Sequence, residues 1–143
     1  MTAAANESAY PHWTTLDTRW SDEDVYGHVN NVVYYSFFDT AVNRILIEDC
    51  GLDIHEGDVI GLVVETGCKY HAPLAYPQEL EIGIAVERLG NSSVTYVLGV
   101  FEAGSERSAA DGRFVHVYVD RHSRRPVSLP DEMRGGLAPL TLA

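Results

Sequence analysis

The stretch Thr18 to Asp39, TRWSDEDVYGHVNNVVYYSFFD, decides how this chain is read. Its first half is a polar turn carrying Asp22, Asp24, Gly27 and His28, and its second half is a largely apolar, aromatic run. The pattern predicts a helix from about Asn30 to Cys50, with Asn30 or Asn31 as N-cap and Gly51 where a left-handed C-terminal residue belongs. A carboxylate is thereby delivered to the amino end of a helix. There, unpaired backbone N–H groups and the positive end of the macrodipole can polarise a carbonyl. A base beside an oxyanion-type donor is the minimum apparatus for hydrolysing an activated acyl group.

Outward from this stretch, the chain explains what the helix is for. Val32, Val33, Tyr34, Tyr35, Phe37 and Phe38 surround its first two turns, and a polar side arrives only with Asp39, Asn43, Arg44 and Glu48. A helix apolar all round must be buried all round. Upstream, Trp13 to Trp20 alternates as a short strand; downstream the period becomes two. Leu80, Ile82, Ile84 and Val86 alternate with Glu79, Glu81, Gly83, Ala85 and Glu87, and Val94, Tyr96, Leu98 and Val100 follow across a Gly90-Asn91 turn, as in an antiparallel hairpin. Val59 to Tyr70 and Arg107 to Val119 make two further long strands, the first ended by His71-Ala72-Pro73. Strand, long helix and four long strands make an α+β chain that resembles the hotdog fold, an antiparallel sheet of about five strands around one central helix. Such a sheet leaves edges that need pairing, so a homodimer or homotetramer is expected.

Composition bounds the function classes. A length of 143 residues suits one domain: a lead-in over 1–12, a hotdog domain over 13–130 and a tail over 131–143 with one helical turn near Asp131 to Arg134. The net charge of −11 argues against nucleic acid as a partner. No apolar run is long enough to span a membrane, and the start lacks a secretory pattern, so the cytoplasm is the expected address. Cys50 and Cys68 lack metal-ligand spacing and read as small buried hydrophobes. Arg121, Arg124 and Arg125, with His122 among them, form a basic spot: either a site for a small phosphorylated ligand or a solvated loop.

The segment Asp22-Glu23-Asp24-Val25-Tyr26-Gly27 begins like a calcium loop, but Tyr26 and Val33 stand where the fifth and twelfth positions need ligands, so no metal is expected. A phosphatase Asp-x-Asp would follow a buried apolar strand, which Thr18-Arg19-Trp20-Ser21 is not, and the chain is too short for the parallel sheet that chemistry uses. Asp22 suits a turn scaffold, since Asp side chains readily bond their own backbone. Glu65 reads as an outward-facing strand residue.

Arg19-Trp20-Ser21-Asp22-Glu23-Asp24-Val25-Tyr26-Gly27-His28-Val29-Asn30-Asn31, followed by Tyr34 and Phe38-Asp39, resembles the signature of the 4-hydroxybenzoyl-CoA thioesterase-like branch of hotdog acyl-CoA thioesterases. Tyr70-His71-Ala72-Pro73-Leu74, Glu79-Leu80-Glu81-Ile82, Arg88-Leu89-Gly90-Asn91-Ser92-Ser93 and Arg125-Pro126-Val127-Ser128-Leu129-Pro130 extend the resemblance over about residues 13 to 130. It implies an acyl-CoA thioesterase that needs no cofactor, with Asp24 as nucleophile or general base and the Asn31 backbone N–H polarising the thioester carbonyl. It also implies that Gly27 shapes the turn and that Gly27 and Tyr34 lie by the substrate. Arg121, Arg124 and Arg125 are candidates for the CoA phosphates. His28 and Asn30 depart from the 4-hydroxybenzoyl pattern and resemble hotdog thioesterases of fatty or other acyl groups; His28 is then a candidate for proton transfer or substrate contact and Asn30 for orienting water, against a turn histidine and a helix cap. Two other functions stay open: an acyl-CoA hydratase or dehydratase, and a non-catalytic acyl-CoA-binding protein.

Overall fold

The computed structural model describes residues 9–142. Its strands are β1 (His12–Asp17), β2 (Val59–Tyr70), β3 (Glu79–Leu89), β4 (Ser93–Glu102) and β5 (Ala110–Asp120). They form one antiparallel sheet in the order β1-β3-β4-β5-β2. The helices are α1 (Val33–Glu48) and α2 (Asp131–Leu137). β1 and β2 are the two sheet edges, and α1 reaches both: Arg44 Nη1 donates to Thr14 Oγ1 and Thr15 O on β1, while the Tyr34 ring meets Tyr70 on β2 edge-on. Between them, Phe38 fills the space left by Gly112 on β5, where any Cβ would strike its ring. The sheet is wrapped around the helix in the hotdog arrangement.

The apolar wrapping read from the sequence is real for Tyr34, Phe37 and Phe38 and fails for Val32, which is 61% exposed. The reason is that α1 starts at Val33, three residues later than the pattern suggests. Asn30 holds the chain outside the helical ladder, its Oδ1 accepting from Val32 N–H (3.2 Å) and its C=O from Val33 N–H (2.9 Å). Past Glu48, Gly51 takes the expected positive φ of 66°. Fully buried Phe38, Val42, Ile45 and Leu46 face Leu80, Ile82, Ile84 and Leu98 of the sheet, each contributing about 1.5–3 kcal/mol.

Of the expected lead-in, residues 1–8 lie outside the described residues, Tyr10 packs on Trp13 and Phe101, and His12 already opens β1. The stretch expected to be a tail belongs to the core, because α2 and the turn after it bury Met133, Leu137 and Leu140. Arg134 ties α2 to the β3–β4 turn by donating to Gly90 O at 2.8 Å.

β2 is the strand on which the site depends. Gly61 and Val63 lie opposite Tyr118 and His116, whose side chains face α1, and after a bulge at Val64 the helix-facing positions become Thr66, Cys68 and Tyr70. A one-residue slip exchanges the two faces of a strand. Without the bulge, strict alternation would turn Tyr70 away from α1.

Candidate active site

The turn before α1 is assembled from its own polar groups. Asp22 is fully buried; its carboxylate accepts from Arg19 N–H at 2.7 Å, Nε at 3.0 Å and Nη2 at 2.8 Å. Asp22 C=O accepts from Asn30 N–H (2.9 Å), and Val29 N–H reaches across to Leu74 O (2.7 Å). Asp24 N–H donates to His28 O (2.9 Å), Gly27 N–H donates to Asp24 O (3.1 Å), and Gly27 adopts φ +78° to close the loop. The fit of glycine to this position is conformational rather than steric, since nothing lies within 4 Å of where a Cβ would be.

Asp22 and Asp24 therefore both bond their own turn, and turn bonding alone does not separate them. Asp24 Oδ1 accepts from Tyr26 N–H at 2.8 Å. What separates them is burial and position: Asp22 is sealed against Arg19, whereas Asp24 is half-buried and lines a cleft of about 410 Å³. The other residues of that cleft are His28, Val29, Asn31, Tyr34, Tyr70, His71, Ala72 and Pro73. Asp24, His28 and Asn31 (two residues before α1) thus line one opening.

Asn31 contributes its backbone. Among the described residues its N–H donates to no acceptor, while its C=O accepts from the Tyr70 hydroxyl at 2.9 Å. An unspent amide at the start of a helix is the donor a developing oxyanion needs. Asn30 stays outside the cleft, its side chain committed to Val32 N–H. Tyr34 forms the buried wall, and burial raises its hydroxyl to about 12. Burial likewise pushes the Cys68 thiol up to about 11, so it stays protonated at neutral pH and is a poor nucleophile.

The basic spot lies elsewhere. Arg121 N–H donates to Asp58 O, at the Val59 end of β2, whereas the Asp24 cleft adjoins Tyr70 at its other end. A strand of twelve residues separates the two by about 36 Å. Arg121 is engaged in its own loop, its Nε donating to Gly57 O and its Nη2 to Ile54 O. Arg124, at φ 63°, and Arg125 are exposed. Within one chain, then, the Arg residues and Asp24 are not brought together.

A larger cleft of about 570 Å³ lies along the exposed side of α1, lined by Asp39, Asn43, Arg44, Ile47 and Ile60 among others. Its carboxylate, Asp39, sits in mid-helix bonded to Asn43 and faces no free helix-start amide, so this cleft lacks the pairing found at Asp24. Tyr70 and His71 are the cleft residues that sequence reasoning missed. In the sequence they mark a strand end and extend the resemblance without a site role, because their approach to the helix start depends on a bulge that no residue pattern announces.

A family model described as the thioesterase-like superfamily matches residues 18–137. The chain belongs to that superfamily. It is accordingly a thioester hydrolase. The PA5185 protein of Pseudomonas aeruginosa strain PAO1 has a crystal structure that matches at TM-score 0.96 with 55% identity, covering 98% of each chain. YsmA of Bacillus subtilis strain 168, an uncharacterised protein, is 25% identical over 127 residues, 88% of this chain and 84% of its own length. Slr0204, a 1,4-dihydroxy-2-naphthoyl-CoA thioesterase from Synechocystis, shares the fold at TM-score 0.77 with 16% identity, covering 89% of this chain and 96% of the other. Among the described residues, no helix is long and apolar enough to cross a membrane.

Proposed function

We propose that this thioesterase hydrolyses acyl-CoA thioesters at the Asp24 cleft. The observation that carries the reading is that Asp24 and Asn31, whose N–H is unspent among the described residues, line one opening. The thioester carbonyl oxygen accepts from Asn31 N–H, which draws charge from the carbonyl carbon. The Asp24 oxygen not engaged with Tyr26 removes a proton from water as the water attacks the carbonyl carbon, or attacks that carbon itself; each gives a tetrahedral adduct. In either route the C–S bond breaks, and CoA departs as thiolate and takes up a proton; the free acid is released at once, or after water cleaves the acyl–Asp24 anhydride and restores the carboxylate. In this scheme His28, an exposed residue lining the cleft, supplies that proton. Asn30 serves the helix start in this scheme.

CoA binding in this reading requires a second copy. β2 is a free edge among the described residues, with Leu62, Val63 and Val64 exposed along it, and such edges invite pairing. Two-fold pairing of β2 with β2 is antiparallel, so it carries the partner's Arg124 and the partner's Arg125 to the Tyr70 end of this chain. Exposed guanidinium groups there suit the CoA phosphates. The 1,4-dihydroxy-2-naphthoyl-CoA thioesterase that shares the fold supports a CoA ester as substrate class.

The test is thiol release from a panel of acyl-CoAs. Asp24→Ala and Asp24→Asn should each lower kcat by about 10²-fold or more with the fold intact. Substantial residual hydrolysis in either variant would remove Asp24 from the mechanism, and a monomer in sedimentation would remove the two-copy site.

A further inference from the structure

Two peptide units flank Asn31, and three bonds hold them. Val33 N–H fixes the Asn30 carbonyl, and Asn30 Oδ1 fixes Val32 N–H. The first ties the turn to the opening residue of α1 and the second lies within the turn; neither reaches the sheet. The third comes from outside: the Tyr70 hydroxyl on β2 donates to Asn31 C=O at 2.9 Å. This carbonyl lies one residue upstream of the helical ladder, whose first acceptor is Val32. Its partner among the described residues is therefore this side chain from the sheet.

The Tyr70 ring is itself fixed, meeting the buried Tyr34 ring edge-on at 5.0 Å and 87°, and Tyr34 meets Phe37 in turn at 5.7 Å. The Val64 bulge puts Tyr70 on the helix side of β2. Burial, reinforced by the Cys68 thiol, holds the hydroxyl well above its ordinary range, so it remains a neutral donor. We propose that Tyr70 is a positioning residue of the thioesterase site: by anchoring the Asn31 carbonyl to the sheet, it sets the direction in which the Asn31 amide meets the substrate oxygen. The inference rests on the assignment of Asn31 N–H as the carbonyl-polarising donor. It adds that the edge strand, not only the turn, determines where that donor points. The freedom left to the Asn31 carbonyl by the bonds at Val29, Val32 and Val33 would have to be ordered in each transition state, a cost the anchor removes.

Tyr70→Phe keeps the ring against Tyr34 and deletes one donor. The expected result is a drop of about three- to tenfold in kcat, with KM for the acyl-CoA within twofold and a loss of stability no larger than that of one hydrogen bond, so that the variant stays fully folded under assay conditions. In two-dimensional amide NMR, the Asn31 and Val32 resonances should move in Tyr70→Phe while those of β3 and β4 stay in place. An equal loss spread over KM, or a drop in stability that accounts for the activity, would assign Tyr70 to packing and overturn the proposal. Unmoved Asn31 and Val32 resonances would overturn it without reference to activity. Asp24→Ala, measured on the same substrate, separates the two claims. If Asp24→Ala is inactive and Tyr70→Phe retains full kcat, the positioning role alone fails. If Asp24→Ala retains activity, the reading of the cleft fails first.

Discussion

Lowering the pH should expose a buried histidine as a stability liability. His116 on β5 is 2% exposed; its Nδ1 lies 3.0 Å from the Tyr118 hydroxyl, which lies 2.7 Å from that of Tyr96. The chain of bonds closes when a neutral imidazole accepts at Nδ1. Burial lowers the His116 pKa from 6.5 to about 4. The unfolded chain therefore takes up a proton as the pH falls through about 6.5, while the folded chain resists until about 4. Folding stability is complete above that window, is lost progressively as the pH drops through it, and loses nothing further from this group below about 4. Between pH 7 and pH 5 the loss works out at about 2 kcal/mol, approaching about 3 kcal/mol at the acid end. The measurement is urea unfolding of the native protein and of His116→Asn at both pH values and equal protein concentration. The variant starts less stable at pH 7 because it leaves a void, but it should lose about 2 kcal/mol less on acidification. Parallel losses in the two proteins would show that His116 titrates normally, and the account of its environment would be wrong.

Other outcomes test the remaining parts. Asp22→Ala strips the acceptor from three Arg19 donors and should cost about 1–3 kcal/mol of stability by urea unfolding, even though Asp22 takes no part in the chemistry. Unchanged stability would reverse the roles given to the two acidic residues of the turn. The paired change Arg124→Ala with Arg125→Ala should raise KM for acyl-CoA about fivefold at constant kcat. Arg121→Ala should instead lower stability by about 1–3 kcal/mol with KM unchanged, because its guanidinium holds Gly57 and Ile54 carbonyls. A rise in KM for Arg121→Ala alone would contradict that division.

Local signals in the sequence carried far. The period change at Val59, the Gly90-Asn91 turn and Gly51 after the helix each describe a conformation set by near neighbours, and β2 begins and ends where the alternation says. The helix starts later than its apolar pattern because Asn30 competes for the first N–H groups, a choice settled by two bonds of modest strength. Asp24, His28 and Asn31 were legible as one constellation because they lie within eight residues. Tyr70 was not, since its path to Asn31 needs both the β2–β5 pairing and the shift at Val64. Distance also misled: three Arg residues and an acidic turn look equally available in a sequence, but a strand of twelve residues keeps them at opposite ends.

The place of β2 in the sheet also has a cost during synthesis. It is made second but pairs with β5, made last, so Val59 must wait for Asp120 and Tyr70 for Ala110. Until then the run Leu62-Val63-Val64 has no strand beside it, while β3 and β4 can already close as a hairpin. Non-local pairing of this kind slows folding and leaves an apolar strand open to other chains. A ribosome stalled before β5 would therefore hold a nascent chain with its stickiest segment unsheltered, and chaperone demand should fall once Ala110–Asp120 has cleared the exit tunnel.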